Sequence, residues 1–174
     1  MKVLLLPLVL FTLLVLESVA IGLIPDQWWL SSFYLIPHWI LIFATLIVVF
    51  YDRENSYTGL IYGLIFAFLV DLVYTNILGV YLLAYSLALY TVHTFKKFFH
   101  QNFLVTLLMA VVAIVIAEFI IFSLYTLIGQ VSMEMNDFVI NRMLPTLFVN
   151  LVFLVIIYPI FSKKLFRWKE ELLK

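Results

Sequence analysis

Four charged residues stand inside long apolar runs of this chain: Glu17, Asp71, Glu118 and Arg142. An ion in hydrocarbon costs at least about 2.5–3.5 kcal/mol on insertion scales, so such groups face a bundle interior or a water-filled cavity and find partners there. Three readings are open for them: a solute-binding cup open to the outside, a proton path, or a polar cluster that locks helices together. The proton path has the least support, because no acid occupies the inner half of a span. A second pattern runs through "GLIYGLIFAFLVD", residues 59–71, where Gly59, Gly63, Ala67 and Asp71 fall at four-residue spacing. Small residues at that spacing let two helix backbones approach closely, which matters where apolar surface alone gives little drive for association. Each step of four turns a helix about 40° past a full circle, so the track winds as a groove and Asp71 lies about 120° round from Gly59. Gly79 then opens the following helix after a tight turn and belongs to the same packing track.

No reacting constellation accompanies these residues. The chain lacks a GxSxG elbow, an HExxH helix and a glycine-rich phosphate loop, and His38, His93 and His100 are scattered. It has no cysteine, which excludes disulfides and thiolate metal sites. Neither a catalytic residue, a metal site nor a cofactor is expected. Ten Lys and Arg balance ten Asp and Glu, so there is no basic surplus for nucleic acid.

The elements that must position the four charges are membrane helices. Of 174 residues, 66% are hydrophobic and 11% charged, against roughly 25% charged in ordinary soluble domains. So few charges cannot cover a globule in water. A crossing takes about 20 mostly apolar residues, and six stretches qualify: 3–24, 33–51, 57–75, 77–95, 103–129 and 139–162. The joints between them are short and polar, so residues 1–162 read as a single six-span transmembrane domain and 163–174 as a short basic tail. In that tail, "KKLFRWKEELLK", Leu165, Trp168 and Leu172 share a helical stripe suited to the inner leaflet or a cytoplasmic partner.

Charge sets the orientation. Nine of the ten basic residues (Lys2, Arg53, Lys96, Lys97, Lys163, Lys164, Arg167, Lys169 and Lys174) flank alternate span ends, and Arg142 alone lies at the opposite side. By the positive-inside rule both termini are cytoplasmic. Trp28, Trp29 and Trp168 suit the interfaces, Pro25 ends span one, and Pro37 suits the first turn of span two. Pro7, Pro145 and Pro159 bend spans one and six near their ends. A cleaved signal ending near Ser18 and Ala20 is the rival reading of the N-terminus; an uncleaved span, continued by "IGLI", is preferred. Glu17, Asp71 and Glu118 each lie 14 or 15 residues from a cytoplasmic span end. At about 1.5 Å per residue all three stand roughly 21 Å up, in the outer half of the membrane.

The run "YGLIFAFLVDLVYTNILGVYLLAYSLALY", 62–90, resembles the signature of the MreD family of bacterial rod-shape-determining membrane proteins. "LESV" around Glu17, "AEFIIF" around Glu118 and "NRMLPTLFVN" at 141–150 are similar to further family regions. Position 67 is Ala where relatives have Gly, and position 141 is Asn where some have Asp, which withholds an acid from the side of Arg142.

The resemblance implies an all-α bundle similar in fold to the substrate-binding subunits of energy-coupling-factor transporters. It implies a non-enzymatic scaffold in the bacterial cell membrane that binds the bitopic protein MreC and helps control cell shape and side-wall peptidoglycan synthesis. RodA, a class B transpeptidase and, where present, MreB would be its further partners, with membrane lipid around it. The alternative is a solute-capture subunit with an outward-facing cup. Under the scaffold reading, association runs through the groove of span three, exposed apolar faces and cytoplasmic loops, with Gly59, Gly63 and Asp71 in packing and Glu118 and Arg142 in a polar interior. The groove can hold the chain's own helices or a partner's, and internal packing is the preferred reading.

Overall fold

The structure, a computed structural model, describes residues 5–23, 34–53 and 55–171. Its helices are α1 (Leu5–Leu23), α2 (Trp39–Leu46), α3 (Thr58–Tyr74), α4 (Val80–Phe95), α5 (Phe103–Leu127) and α6 (Leu144–Glu171). A π-helical turn, Ile47–Tyr51, continues α2, and a turn at Met135–Asp137 with a π-helical stretch, Phe138–Met143, leads into α6. Among the described residues there is no strand.

The sequence of α2 and its π turn, WILIFATLIVVFY, has Thr45 as the one small hydroxyl on an otherwise apolar helix. A helix apolar on every side belongs in an interior or a membrane. Here it is the axis of the bundle: every residue from Ile40 to Tyr51 is buried, and α1, α3, α4, α5 and α6 all touch α2. The strongest helix pairs are α3 with α4 and α4 with α5. Small residues face inward on both partners of the second pair, with Ala84 and Ala88 on α4 and Ala110, Ala113 and Ala117 on α5 fully buried. The outward faces stay apolar, as Leu8, Phe11, Phe68, Leu104 and Phe148 show.

Length separates the helices. Phe103–Leu127 and the continuous Met135–Glu171 are long and apolar enough to cross a membrane, whereas the helices on 5–20, 39–51 and 58–74 are shorter apolar helices. The stretch expected to be helical over 33–51 forms helix only from Trp39. Pro37 therefore precedes the helix rather than filling its first turn: His38, at φ −119° and ψ 46°, is the non-helical residue from which the helix starts. Residues 34–38 are non-helical, and α6 supplies their hydrogen bonds. The basic tail is no separate element either: α6 runs unbroken to Glu171, with Leu165 fully buried and Trp168 packed against the core. Pro7 and Pro159 lie within α1 and α6. Lys2, Pro25, Asp26, Trp28, Trp29, Leu172 and Lys174 lie outside the described residues.

Short joints divide the molecule into two ends. The basic end holds the 52–57 and 96–102 joints and the last turns of α6. The opposite end holds the starts of α2 and α4 and the 128–137 joint.

Candidate functional site

A helix starts with four N–H groups that have no partner within the helix, and its dipole concentrates partial positive charge there. Where those groups are buried they have no water to turn to. Three acids in this chain answer that need. Glu17, late in α1, accepts the Ile40 N–H on Oε1 at 2.8 Å, at the start of α2. Asp52, just past α2, accepts the Gly59 N–H on Oδ2 at 2.9 Å, at the start of α3. Asp71, late in α3, serves the start of α4, accepting Gly79 and Leu82 N–H on Oδ2 at 3.0 and 2.9 Å and Tyr81 N–H on Oδ1 at 2.9 Å. The turn between α3 and α4 closes on Gly79, whose φ of 99° is left-handed and open to glycine at no steric cost. Burial pushes the Asp52 carboxyl up to about 6, against the lowering effects of the Gly59 N–H and of Lys96.

Glu118, on α5, is different in kind. Its Oε2 accepts Arg142 Nε–H at 2.7 Å, and its Oε1 meets His38 Nε2 at 2.7 Å. The other ring nitrogen, Nδ1, lies within hydrogen-bond distance of the Tyr85 hydroxyl, 2.9 Å away on α4. Glu118 and His38 are fully buried, and Arg142 is 13% exposed. One carboxylate thus joins α5, the π-helical stretch before α6, the start of α2 and, through the imidazole, α4.

The non-helical segment 34–38 is held against this centre by α6. Pro145 has no N–H to return to the Asn141 carbonyl four residues back, and that carbonyl takes the Tyr34 N–H at 2.8 Å. One turn on, Thr146 Oγ1 accepts the Ile36 N–H at 3.2 Å. Asn150 follows at i+4: its Oδ1 accepts the His38 N–H at 2.6 Å, and its Nδ2 donates to Ile36 O at 2.8 Å. The Asn141 carbonyl before α6 and the Thr146 and Asn150 side chains on one face of α6 therefore do for 34–38 what a neighbouring strand would do. The segment is irregular backbone buried in protein, which is where hydrocarbon tolerates it. Beyond Arg142 lies a pocket of about 440 Å³ lined by Tyr34, Phe122, Gln130, Ser132, Asp137 and Arg142.

The four charges singled out in the sequence do not form one bonded cluster. Glu118 and Arg142 bond to each other, while Glu17 and Asp71 are occupied by helix N-termini. The small-residue track also divides. A Cβ on Gly59 would stand 2.7 Å from Val48 Cγ2 and 2.8 Å from Val48 N, and one on Gly63 would stand 2.2 Å from Leu89 Cδ1. Ala67 is fully buried. The groove is filled by this chain's own α2 and α4, so it is no docking slot for another helix. Gly79 does not belong to it, for a Cβ there would meet nothing within 4 Å, and its backbone angle is what the position requires.

A family model described as rod shape-determining protein MreD matches residues 2–168. The chain belongs to the MreD family. Rod shape-determining protein MreD of Bacillus subtilis (strain 168) is 31% identical over 172 residues, covering 99% of this chain and 98% of that protein. No solved structure matches the chain significantly. Shape determination in rod-shaped bacteria is thus the setting in which this MreD-family centre is to be read.

Sequence reasoning passed over His38, Tyr85, Thr146 and Asn150. The Thr146-to-Asn150 spacing of four and the proline just before it were a usable signal, since they put two polar side chains on one helix face inside an apolar run. His38 carried no such signal. Its partners are 80 and 47 residues away along the chain, and only the fold brings them together.

Proposed function

We propose that this MreD-family chain is a non-enzymatic, six-span scaffold of the bacterial cell-wall elongation machinery, with both termini in the cytoplasm. It holds an MreC-like bitopic partner and through it influences where side-wall peptidoglycan is made, alongside RodA, a class B transpeptidase and, where present, MreB. The observation that carries this reading is the saturation of Glu118, both of whose oxygens are taken by side chains of this chain. A carboxylate so committed serves as a lock between helices. Charged groups at a shared depth then reflect how the bundle is held, and the working surface is its apolar exterior.

On that exterior, α1 presents Leu8, Phe11, Val15 and Val19 as one exposed stripe at helical spacing. Beside it an apolar groove of about 240 Å³ opens between α1, α2 and α6, lined by Val9, Leu13, Phe43, Phe153, Ile157 and Phe161. Helices associate in lipid by close packing, so a groove next to an exposed stripe suits a partner's single span. The chain has no cysteine, which makes single cysteines clean probes. Leu8→Cys and Phe11→Cys should crosslink in cells to cysteines in the partner's span, and Phe68→Cys on α3 should not. A scan of α1, α3 and α5 without one crosslink, from cells in which the two proteins co-purify, would contradict a membrane-embedded contact.

A second reading rests on the pocket beyond Arg142. A polar-lined cavity of about 440 Å³ is large enough for a small solute, and such a cup would suit a solute-capture subunit. Submicromolar binding of a vitamin to the purified chain would overturn the scaffold-only account.

A further inference from the structure

We propose that the basic end of the bundle carries a binding site for the phosphate group of an anionic membrane phospholipid, built by the 52–53 joint, the turn after α4 and the last turns of α6. The proposal rests on the six-span orientation, which puts this end at the cytoplasmic leaflet.

Arg53, Lys96, Lys97 and Lys169 converge on one concavity of about 220 Å³, arriving from three separate parts of the chain. Among the described residues, Asp52 is the one carboxylate in its lining, and its Oδ2 accepts the Gly59 N–H. Like charges brought together repel, and low-dielectric surroundings strengthen that repulsion. A bound oxyanion removes the penalty. The frame is set before any ligand arrives. Lys96 Nζ donates to Val48 O at 2.8 Å and Asp52 O at 3.1 Å, satisfying carbonyls at the C-terminal end of the π turn. Gln101 Nε2 donates to Val49 O at 2.7 Å. These bonds fix one cation and one wall, while Arg53 and Lys97 remain exposed.

A second cavity selects lipid over free phosphate. Gln101 also lines an adjoining slot of about 490 Å³, whose walls include Phe50, Tyr158 and Phe166 and whose charged residues are Lys163, Arg167 and one carboxylate, Glu170. Tyr158 is held there by edge contacts with Phe50 and Phe103, at centroid distances of 5.8 and 4.9 Å. A basic pocket that opens beside an aromatic slot matches a molecule with a phosphate at one end and hydrocarbon behind it. Inorganic phosphate would use only the first half.

Native mass spectrometry of the full chain, released from neutral detergent with phosphatidylglycerol or phosphatidylcholine, tests this. The wild type should retain phosphatidylglycerol in clear preference. The triple variant Arg53→Gln, Lys97→Gln, Lys169→Gln should lose that preference at about fivefold per residue, the equivalent of about 1 kcal/mol for each basic group near an anionic lipid. Lys96 is left intact in that variant because it caps α2. An unchanged melting temperature in neutral detergent would show that the loss is not unfolding. Phe166→Ser should weaken lipid retention further, and millimolar inorganic phosphate should not strip the lipid. Equal retention of the two lipids by the wild type, or full retention by the triple variant, would overturn the proposal, and so would complete displacement by inorganic phosphate. A single Lys97→Cys, labelled from inside or outside intact cells, separates this from the orientation beneath it. Labelling from outside would sink the six-span reading, whereas labelling from inside without lipid preference would sink the lipid site alone.

Discussion

Arg142 Nε donates to Glu118 Oε2 at 2.7 Å, and that bond ties the start of the last helix to the middle of the bundle. The other oxygen of the same carboxylate meets His38 at the same distance. A buried ion pair gains little over apolar packing when whole, yet removing one partner strands a charge and costs about 3–5 kcal/mol. In this bundle the pair joins α5 to the stretch that leads into α6.

Asp71 is a cap. It accepts three backbone N–H groups of the next helix, and Asp71→Asn keeps one oxygen while turning an amide NH₂ towards donors. Asp71→Asn should lower stability by about 1–2 kcal/mol and Asp71→Ala by somewhat more, the scale set by unsatisfied buried donors. Thermal unfolding in detergent reads the loss, and hydrogen exchange at Tyr81 and Leu82 should quicken in step. Wild-type melting and protection in Asp71→Ala would rule the cap out.

The two glycines of α3 should differ. A Cβ on Gly59 meets the backbone of α2, which cannot step aside, whereas a Cβ on Gly63 meets the end of the Leu89 side chain, which can. Gly59→Ala should cost about 1–3 kcal/mol, and Gly63→Ala less. Measured in a Leu89→Ala background, Gly63→Ala should cost little, whereas Gly59→Ala should cost as much as before. Equal losses, or rescue of both, would mean that α3 packs elsewhere.

Asp52 gives a pH dependence with a defined sign. Its carboxyl is raised from 3.8 to about 6 by burial, so the folded chain binds a proton more tightly than the unfolded one. The stability it contributes is full below pH 3.8 and is lost as pH rises through about 6. Melting in detergent should therefore fall by the equivalent of about 1–2 kcal/mol between roughly pH 5 and pH 7.5. Asp52→Asn, which still accepts the Gly59 N–H, should flatten that slope. A slope that survives the substitution would assign the titration to another group.

The helix positions were legible in the sequence because hydropathy and charged joints mark where a long apolar stretch begins and ends. Helix boundaries at α3 and α5 differ from the expected stretches by only a residue or two. What faced what was not legible. Lipid and protein interior are equally apolar, so nothing in WILIFATLIVVFY told a central helix from a peripheral one. The depth of Glu17, Asp71 and Glu118 could be counted along each helix, but their partners could not. Two of them serve N-termini that exist only once the next helix has folded. Pro37 misled by composition alone, since a proline that starts a helix and one that keeps the chain out of it look the same.

The most direct test of the Glu118 lock is a double-mutant cycle on Glu118→Gln and Arg142→Met, followed by thermal unfolding in detergent. Each single change should be strongly destabilising, and the double variant should be less destabilised than the sum by about 2 kcal/mol or more, in the range seen for directly bonded pairs. Simple additivity, with no coupling between the two sites, would contradict the account that this pair holds the bundle together.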